Sequence, residues 1–286
     1  MKLEYTLKND VLFKMTFVKY PDLLKQLIAT LLHIRLSGIT EFAVTNSEIP
    51  PNALGEKFCR IDIKMTVNGQ RVSLEVQVKD EGDFPERALY YWARDYSSAL
   101  NEGGEYSALP RTIIICIVAF EMFDCEDLHS EFQALEVKRH TPLTDKQVLH
   151  FFELSKLPDV DDAEDELKLW LALFKAETEE DLAKIDELGV PIMQQAIAAF
   201  RYVSATDEFK ELEYLRSLAR HNEASALGHA RREGQREGIA IGAETEREKW
   251  QGVVTDLRDA VADKDAALAK QAAQIEELMA QLGDKK

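Results

Sequence analysis

Two acidic residues stand at positions where they could act together. Asp62 and Glu75 lie on either side of Asn68-Gly69. An Asn-Gly pair between two alternating apolar runs is the strongest short-range signal for a β-hairpin, because both turn residues need positive φ. In such a turn Val67 pairs with Gln70, and the same register places Asp62 directly opposite Glu75. Opposed side chains have Cβ atoms about 4.5–5.5 Å apart, a distance at which like charges destabilise a sheet.

A divalent cation would offset the repulsion between these two carboxylates. Oxygen ligands of this kind suit Mg²⁺ or Mn²⁺, which keep water and substrate phosphate in their remaining positions. The alternative is an ordinary solvated face of alternating charge, with Arg60 opposite Gln77 and Lys64 opposite Ser73. The spacing alone leaves both interpretations open.

The other face of the same hairpin is wholly apolar, so we expect it to pack on the core. Its residues are Ile61, Ile63, Met65, Val67, Val72, Leu74, Val76 and Val78.

The segment after the hairpin carries a second group of candidates. Residues 85–101 are predicted to be helical, with Arg87, Tyr91 and Arg94 on one face and Tyr90 beside them. Arginine and tyrosine at this spacing can hold phosphate oxygens and stack on bases. A salt-bridged surface helix with half-buried tyrosines would have the same pattern.

These candidates belong to a predicted α/β core of about 120 residues. Its elements are a helix over 7–36 with a bend near Pro21, a short strand over 41–45, hairpin strands over 58–67 and 70–79, the helix over 85–101, and a buried strand over 111–120. Beyond residue 150 the pattern predicts helices throughout.

The charge of the chain is concentrated in its second part. The formal net charge is −17 over 286 residues, and residues 1–116 account for only −1 of it. An acidic protein is a poor candidate for nucleic-acid binding, but the N-terminal part escapes that objection.

No apolar run is long enough to span a membrane, and three cysteines without metal-binding spacing favour a reducing compartment. We therefore expect a cytoplasmic protein.

The last residues predict a coiled coil. Apolar residues recur on alternating steps of three and four, interrupted by Lys264 and Gln271. They are Val254, Leu257, Val261, Leu268, Ile275, Leu278 and Leu282. We expect a homo-oligomer formed through this segment, and a single solvated helix is the alternative. Before it, glycines at 228, 234, 238 and 242 predict a hinge or a close helix contact.

Four short stretches, in this order and spacing, resemble a known family. They are Lys8-Asn-Asp10-Val-Leu-Phe13-Lys14-Met-Thr-Phe17, Arg60-Ile-Asp62-Ile, Leu74-Glu75-Val-Gln77 and Arg87-Ala-Leu-Tyr90-Tyr91. The chain resembles PD-(D/E)XK nucleases, and more narrowly the Rpn family of recombination-promoting nucleases, also described as transposases. The Gly-containing stretch around Gly234 and Gly238 is typical of that family's tail, and the resemblance covers about residues 1–245.

The resemblance implies a Mg²⁺- or Mn²⁺-dependent DNA endonuclease linked to recombination or mobile elements. Asp62 and Glu75 would be metal ligands, with Asp10 a third acidic group near the metal. Gln77 would replace the lysine that usually orients the attacking water, and Lys64 or Lys79 could supply the missing charge. Arg87, Tyr91 and Arg94 would position the DNA backbone.

The resemblance and the sequence patterns together predict an organisation of the chain. We expect a restriction-endonuclease-like domain over 1–140, a helical domain over 141–227, a Gly-containing linker or helix over 228–248, and a coiled-coil tail over 249–286 that lies outside the resemblance. Two other functions remain open: a non-catalytic DNA-binding or scaffold protein that oligomerises through its tail, and a transposase that also joins strands. Opposed carboxylates argue against the scaffold, because a pure DNA binder gains nothing from acids on its polar face.

Overall fold

The computed structural model describes residues 1–45, 48–49, 59–60 and 63–283, with side chains throughout except at 48–49, 59–60, 219–220, 223, 277 and 280–283. The helices are α1 (Asp10–Lys19), α2 (Pro21–Leu31), α3 (Phe84–Ser98), α4 (Glu166–Lys175), α5 (Glu179–Glu187), α6 (Pro191–Ala205) and α7 (Asp207–Gly283). The strands are β1 (Phe42–Thr45), β2 (Glu48–Ile49), β3 (Cys59–Arg60), β4 (Ile63–Val67), β5 (Gln70–Gln77), β6 (Thr112–Val118), β7 (His129–Phe132) and β8 (Gln147–Glu153).

A six-stranded mixed sheet forms the centre of the fold, in the order β1-β4-β5-β6-β8-β7. The pairs β5–β6 and β6–β8 are parallel, and the other three pairs are antiparallel. The crossover between β5 and β6 contains α3, as parallel neighbours require a long connection. The strands β2 and β3 pair separately.

The predicted hairpin register is confirmed for the residues that the structure describes. Val67 pairs with Gln70 and Ile63 with Leu74, and the turn residues Asn68 and Gly69 have φ of 48° and 74°. This is the left-handed region that a two-residue hairpin turn demands. Asp62, the predicted partner of Glu75, lies outside the described residues.

The apolar face of the hairpin packs on the larger core, as predicted. Its described members from Ile63 to Val76 are buried, but Val78 is 48% exposed because β5 ends at Gln77. The expectation that Val78 belongs to the core was therefore wrong. Helices α1, α2, α4, α5 and α6 cover this face.

Aromatic side chains join the helices over this face. Phe17 stacks on Phe174 with ring centroids 6.0 Å apart and also contacts Trp170 at 6.1 Å. The predicted bend near Pro21 separates α1 from α2 at Tyr20, because proline lacks the N–H that would continue α1 but fits the first turn of α2.

The opposite face of the sheet is covered by α3. Phe84 and Ala88 pack against the alternate side chains of β6 and β8. Phe84 meets Phe151 edge to face, with centroids 6.2 Å apart. The sheet is therefore buried on both sides, which explains why β6 is apolar throughout.

The sequence pattern missed the far edge of the sheet. β8 continues to Glu153, where helices were expected, and β7 pairs with it. Every residue of β8 after Gln147 is buried, so the strand lacks the alternation that would separate it from a buried helix. Predicted and observed ends also differ at α3, which ends at Ser98 rather than at 101.

The chain divides into two compact units, Met1–Arg216 and Ser217–Lys286. The first contains the sheet together with α1–α6, so the predicted boundary after residue 140 does not coincide with a break between units. In the second, residues 217–283 are helical, and glycines 228, 234, 238 and 242 continue the helix. No helix in the described part of the chain has the length and apolar character needed to cross a membrane.

Candidate functional site

Glu75 occupies a central position in the sheet. It lies on β5 between β4 and β6, opposite Cys116 of β6, and strand alternation points its side chain to the α3 side. The residue is only 7% exposed, and Ser73 beside it on the same face is fully buried. An ordinary solvated polar face is therefore excluded for these residues, because α3 covers them.

Arg87 lies on α3 and is partly buried. Burial alone would lower the pKa of Arg87, but hydrogen bonding to the Glu81 carboxylate and the charges of Tyr91, Glu81 and Glu75 raise it above its usual value. Its guanidinium also lies over the Phe84 ring, 5.1 Å from the centroid. The structure thus brings Arg87 within electrostatic reach of Glu75.

Tyr91 and Arg94 follow Arg87 along the same helix and are partly buried. The Nη1 atom of Arg94 donates to the hydroxyl oxygen of Tyr90 at 3.3 Å, and the rings of Tyr90 and Tyr91 lie 6.3 Å apart. Tyr90 is 39% exposed. The predicted group on α3 therefore combines guanidinium and phenol groups at the edge of the site.

Gln77 ends β5 on the same face as Glu75. Its Nε2 atom donates to the backbone carbonyl of Lys79 at 2.9 Å. With Nε2 engaged in this hydrogen bond, the side-chain carbonyl oxygen of Gln77 can accept a hydrogen bond from water. Lys79 itself is exposed beyond the end of the strand.

Lys64 is part of a buried ion cluster on the same face of the hairpin as Glu75. Its ammonium donates to the carboxylate of Asp95 on α3, a residue with no solvent exposure. Arg71 of β5 donates to the same carboxylate, from Nη2 to Oδ1 at 2.6 Å. Asp95 therefore joins β4 and β5 to α3 through one carboxyl group, and the Lys64 charge is held beside it.

Asp95 was not recognised from the sequence. A signal was present, because Asp95 lies four residues after Tyr91 and so shares its face of α3. Lys64 and Arg71, the two basic residues that this face meets, occupy the same face of the hairpin by strand parity. Once α3 is known to pack on that face, an aspartate within the helix is the expected partner of two basic residues on the strands.

Asp10 is the third acidic residue that the sequence singled out. It is the first residue of α1, and its Oδ2 atom accepts from Nε of Arg216 at 2.9 Å. The helix packs on the opposite face of the sheet from α3, where its Phe13 and Phe17 are buried. Asp10 is thus ion-paired with the first part of α7.

The donor set at Glu75 fits a hard divalent cation. A buried carboxylate and the side-chain carbonyl oxygen of Gln77 lie on one sheet face, and Asp62, the predicted partner of Glu75, lies outside the described residues. Within the described ranges, which omit 61–62, no three His, Cys, Asp or Glu side chains are grouped to hold a metal ion. A site at this hairpin therefore needs Asp62 or bound water to complete it.

One of three comparisons with known proteins gave a match. A family model described as PD-(D/E)XK nuclease family transposase matches residues 7–230. Neither the curated proteins nor the solved structures gave a significant match. The matched segment contains Glu75, Gln77 and all of α3, and it spans more than half of the 286 residues. The chain belongs to the PD-(D/E)XK nuclease family transposases.

Proposed function

We propose that this protein is a metal-dependent DNA endonuclease that hydrolyses phosphodiester bonds. The observation that carries the proposal is the buried Glu75 carboxylate on the central strand, facing the arginine and tyrosine side chains of α3. Family membership supports a nuclease or transposase of this type. The proposed cofactor is Mg²⁺ or Mn²⁺, held by Asp62 and Glu75.

The proposed roles follow from the chemistry of each group. The bound cation would lower the pKa of water and neutralise charge on the scissile phosphate. Gln77, oriented by Lys79, accepts a hydrogen bond from the attacking water but contributes no charge. Lys64 adds positive charge from its place beside Asp95, and Lys79 is the exposed alternative.

The α3 side chains are proposed to hold the DNA backbone. Arg87, Tyr91 and Arg94 would contact phosphates, which gives affinity and register without sequence information. Asp10, whose Oδ2 atom pairs with Arg216, is proposed as a third acidic group near the metal.

Strand joining is the second candidate activity. The family description names transposases, and the same metal chemistry serves hydrolysis and transfer to a DNA hydroxyl. We propose a setting in DNA recombination or element mobility in the cytoplasm, with two copies joined through the C-terminal tail so that both strands of a duplex can be cut.

Plasmid cleavage tests the proposed activity. The intact chain is incubated with supercoiled plasmid and Mg²⁺ or Mn²⁺, beside Asp62→Asn, Glu75→Gln and an EDTA control. Loss of a metal ligand should slow cleavage on the order of 1000-fold, because metal stabilisation of the transition state is worth several kcal/mol. Glu102→Gln, at an exposed loop carboxylate outside the hairpin and α3, is the matched control and should cleave normally.

The outcomes separate the candidates. Cleavage lost in both site variants, with unchanged circular dichroism and DNA binding, supports the metal nuclease. Equal cleavage by wild type and both variants would contradict it. DNA binding without cleavage by the wild type would favour the scaffold function, and joined products on a 3′-hydroxyl substrate would favour the transposase.

A further inference from the structure

The end of α7 presents an apolar stripe to solvent within the second compact unit. Its members recur with the period of a coiled coil, and each is at least 44% exposed. They are Trp250, Val254, Leu257, Val261, Leu268, Ile275 and Leu278. Exposed apolar residues in a continuous stripe mark an interaction surface rather than scattered surface hydrophobics.

We propose that a second copy of this chain covers the stripe and docks in the antiparallel direction, with Val254 opposite Leu278 of the second copy. The proposal concerns the helix alone and does not depend on the proposed nuclease activity. It adds the direction and the alignment of the two helices, which the heptad pattern by itself leaves open.

The two polar residues within the stripe disfavour a parallel dimer. In a parallel, in-register pair each core residue meets itself. Lys264 would then share a layer with the Lys264 of the second copy, and Gln271 with its own counterpart. Two core layers would contain no apolar side chain, and one of them would bring like charges together as water is excluded.

The antiparallel alignment gives every layer at least one apolar side chain. With Val254 opposite Leu278, Leu257 lies opposite Ile275 and Val261 opposite Gln271. Lys264 then lies opposite Leu268, and its methylene chain can cover that leucine while the ammonium reaches water. Polar residues are thus distributed among apolar partners instead of being stacked on each other.

The flanks of the stripe fit a copy of the same chain better than a strongly charged partner. On one side stand Val253, Ala260, Ala267 and Gln274, none of them charged. On the other side Arg258 and Asp265 are the charged positions, among Gln251, Ala272 and Met279. The alignment brings Lys264 to about 4.5 Å along the axis from Asp265 of the second copy, at 1.5 Å per residue. That pair offsets the charge of the core lysine.

The alignment fixes distances along the dimer. The two Val254 residues would lie about 36 Å apart, and the two Trp250 residues about 48 Å apart. The two chains therefore enter the coiled coil from opposite ends. In a parallel dimer both would enter at the same end, and equivalent residues would face each other.

Disulfide cross-linking in the full-length chain distinguishes these arrangements. Val254→Cys and Leu278→Cys are made singly and together, with the wild type as the background for the native cysteines. Antiparallel pairing predicts no added covalent dimer from either single variant. It predicts one from an equilibrated mixture of the two, and one from the double variant, after mild oxidation.

Each result bears on the proposal. A covalent dimer in the mixture at least tenfold above either single variant, with a dimer mass by sedimentation, supports it. Covalent dimers from each single variant alone would overturn it in favour of parallel pairing. Absence of added cross-links in every sample, including the double variant, overturns it whatever the mass in solution. Unchanged helicity by circular dichroism verifies that the substitutions leave the helix intact.

Discussion

At the scale of single residues, one buried carboxylate joins the hairpin to α3. Asp95 has no solvent exposure and accepts from both Lys64 and Arg71. A buried charge is costly unless it is paired, and here each partner comes from a different strand. The ion cluster therefore holds the hairpin and α3 together behind Glu75.

Replacing Asp95 tests this role. Asp95→Asn keeps the shape but leaves the Lys64 ammonium buried without its counter-ion, because that side chain is only 9% exposed. We expect the free energy of unfolding to fall by about 3 kcal/mol, since breaking one partner of a buried pair is strongly destabilising. Urea denaturation followed by circular dichroism measures it.

A double variant provides the control. Asp95→Leu combined with Lys64→Met removes both charges, and its stability should lie closer to wild type than that of Asp95→Asn. A change of less than 0.5 kcal/mol in Asp95→Asn would show that the cluster contributes little. Such a result would also leave the Lys64 ammonium available to supply positive charge at the site, the role that the family resemblance implies for it.

Residue types and spacing predicted which side chains share a face of the sheet, but not the ion pairs between them. Glu75 and the α3 side chains were identified from strand parity and helical spacing, and they do lie on one side of the sheet. The Lys64–Asp95 pair was missed because its members are 31 positions apart and belong to different elements. Only the packing angle of α3 on the sheet makes them neighbours.

At the scale of elements, local signals predicted the hairpin better than the sheet edge. Asn68-Gly69 specified both the turn and the register of β4 and β5, because positive φ is needed there. The Oδ1 atom of Asn68 also accepts from the backbone N–H groups of Thr40 and Glu41, at 2.9 and 3.0 Å. β7 and β8 lack such a turn signal, and their pairing depends on contacts distant in sequence.

The β7–β8 pair contains a histidine couple, His150 buried and His129 partly buried, that should make stability depend on pH. Nε2 of His129 lies 2.9 Å from Nδ1 of His150. Burial lowers the pKa of His150 to about 4, with Glu131 opposing and His129, Arg111 and His33 adding to the decrease. Burial, together with the nearby His33, also lowers the pKa of His129.

The sign of the effect follows from linkage. Well above pH 6.5, the pKa of an unperturbed histidine, both histidines are neutral in both states and their contribution to stability is complete. As the pH falls, the unfolded chain binds protons first, so stability decreases until His150 protonates in the folded protein near pH 4. We expect a loss of up to about 3 kcal/mol from His150, at 1.36 kcal/mol per pKa unit.

Denaturation at a series of pH values between 7 and 4.5 measures this loss. His150→Gln should show a smaller decrease over that interval than wild type, even if its stability at pH 7 is lower. His229→Gln, at an exposed position on α7, should follow the wild-type curve. Parallel curves for His150→Gln and wild type would contradict the assignment.

At the scale of the whole molecule, the compact unit ending at Arg216 should fold without the rest. It contains all of the sheet and the helices that cover it. The first residues of α7 complete its core, because Phe209 has no solvent exposure and its ring contacts Tyr5 edge to face at 4.8 Å. The remainder of α7 belongs to the second unit.

Two truncations test where this unit ends. A fragment over 1–216 should unfold cooperatively in urea and remain folded at 25 °C. A matched fragment over 1–206 lacks Phe209 and should be less stable by roughly 3–5 kcal/mol, the usual cost of removing a buried aromatic side chain. Equal stability of the two fragments would show that the start of α7 is dispensable.

The attachment of α3 to the sheet has a consequence for ligand binding. Phe84 anchors its first turn against Phe151, the indole N–H of Trp92 donates to the Thr112 carbonyl at 3.0 Å, and Asp95 holds its last turns to the hairpin. The segment that carries Arg87 and Tyr91 is thus fixed between these anchors. Its backbone is preorganised, so little conformational entropy remains to be lost when a ligand docks there, and more of the contact energy appears as affinity.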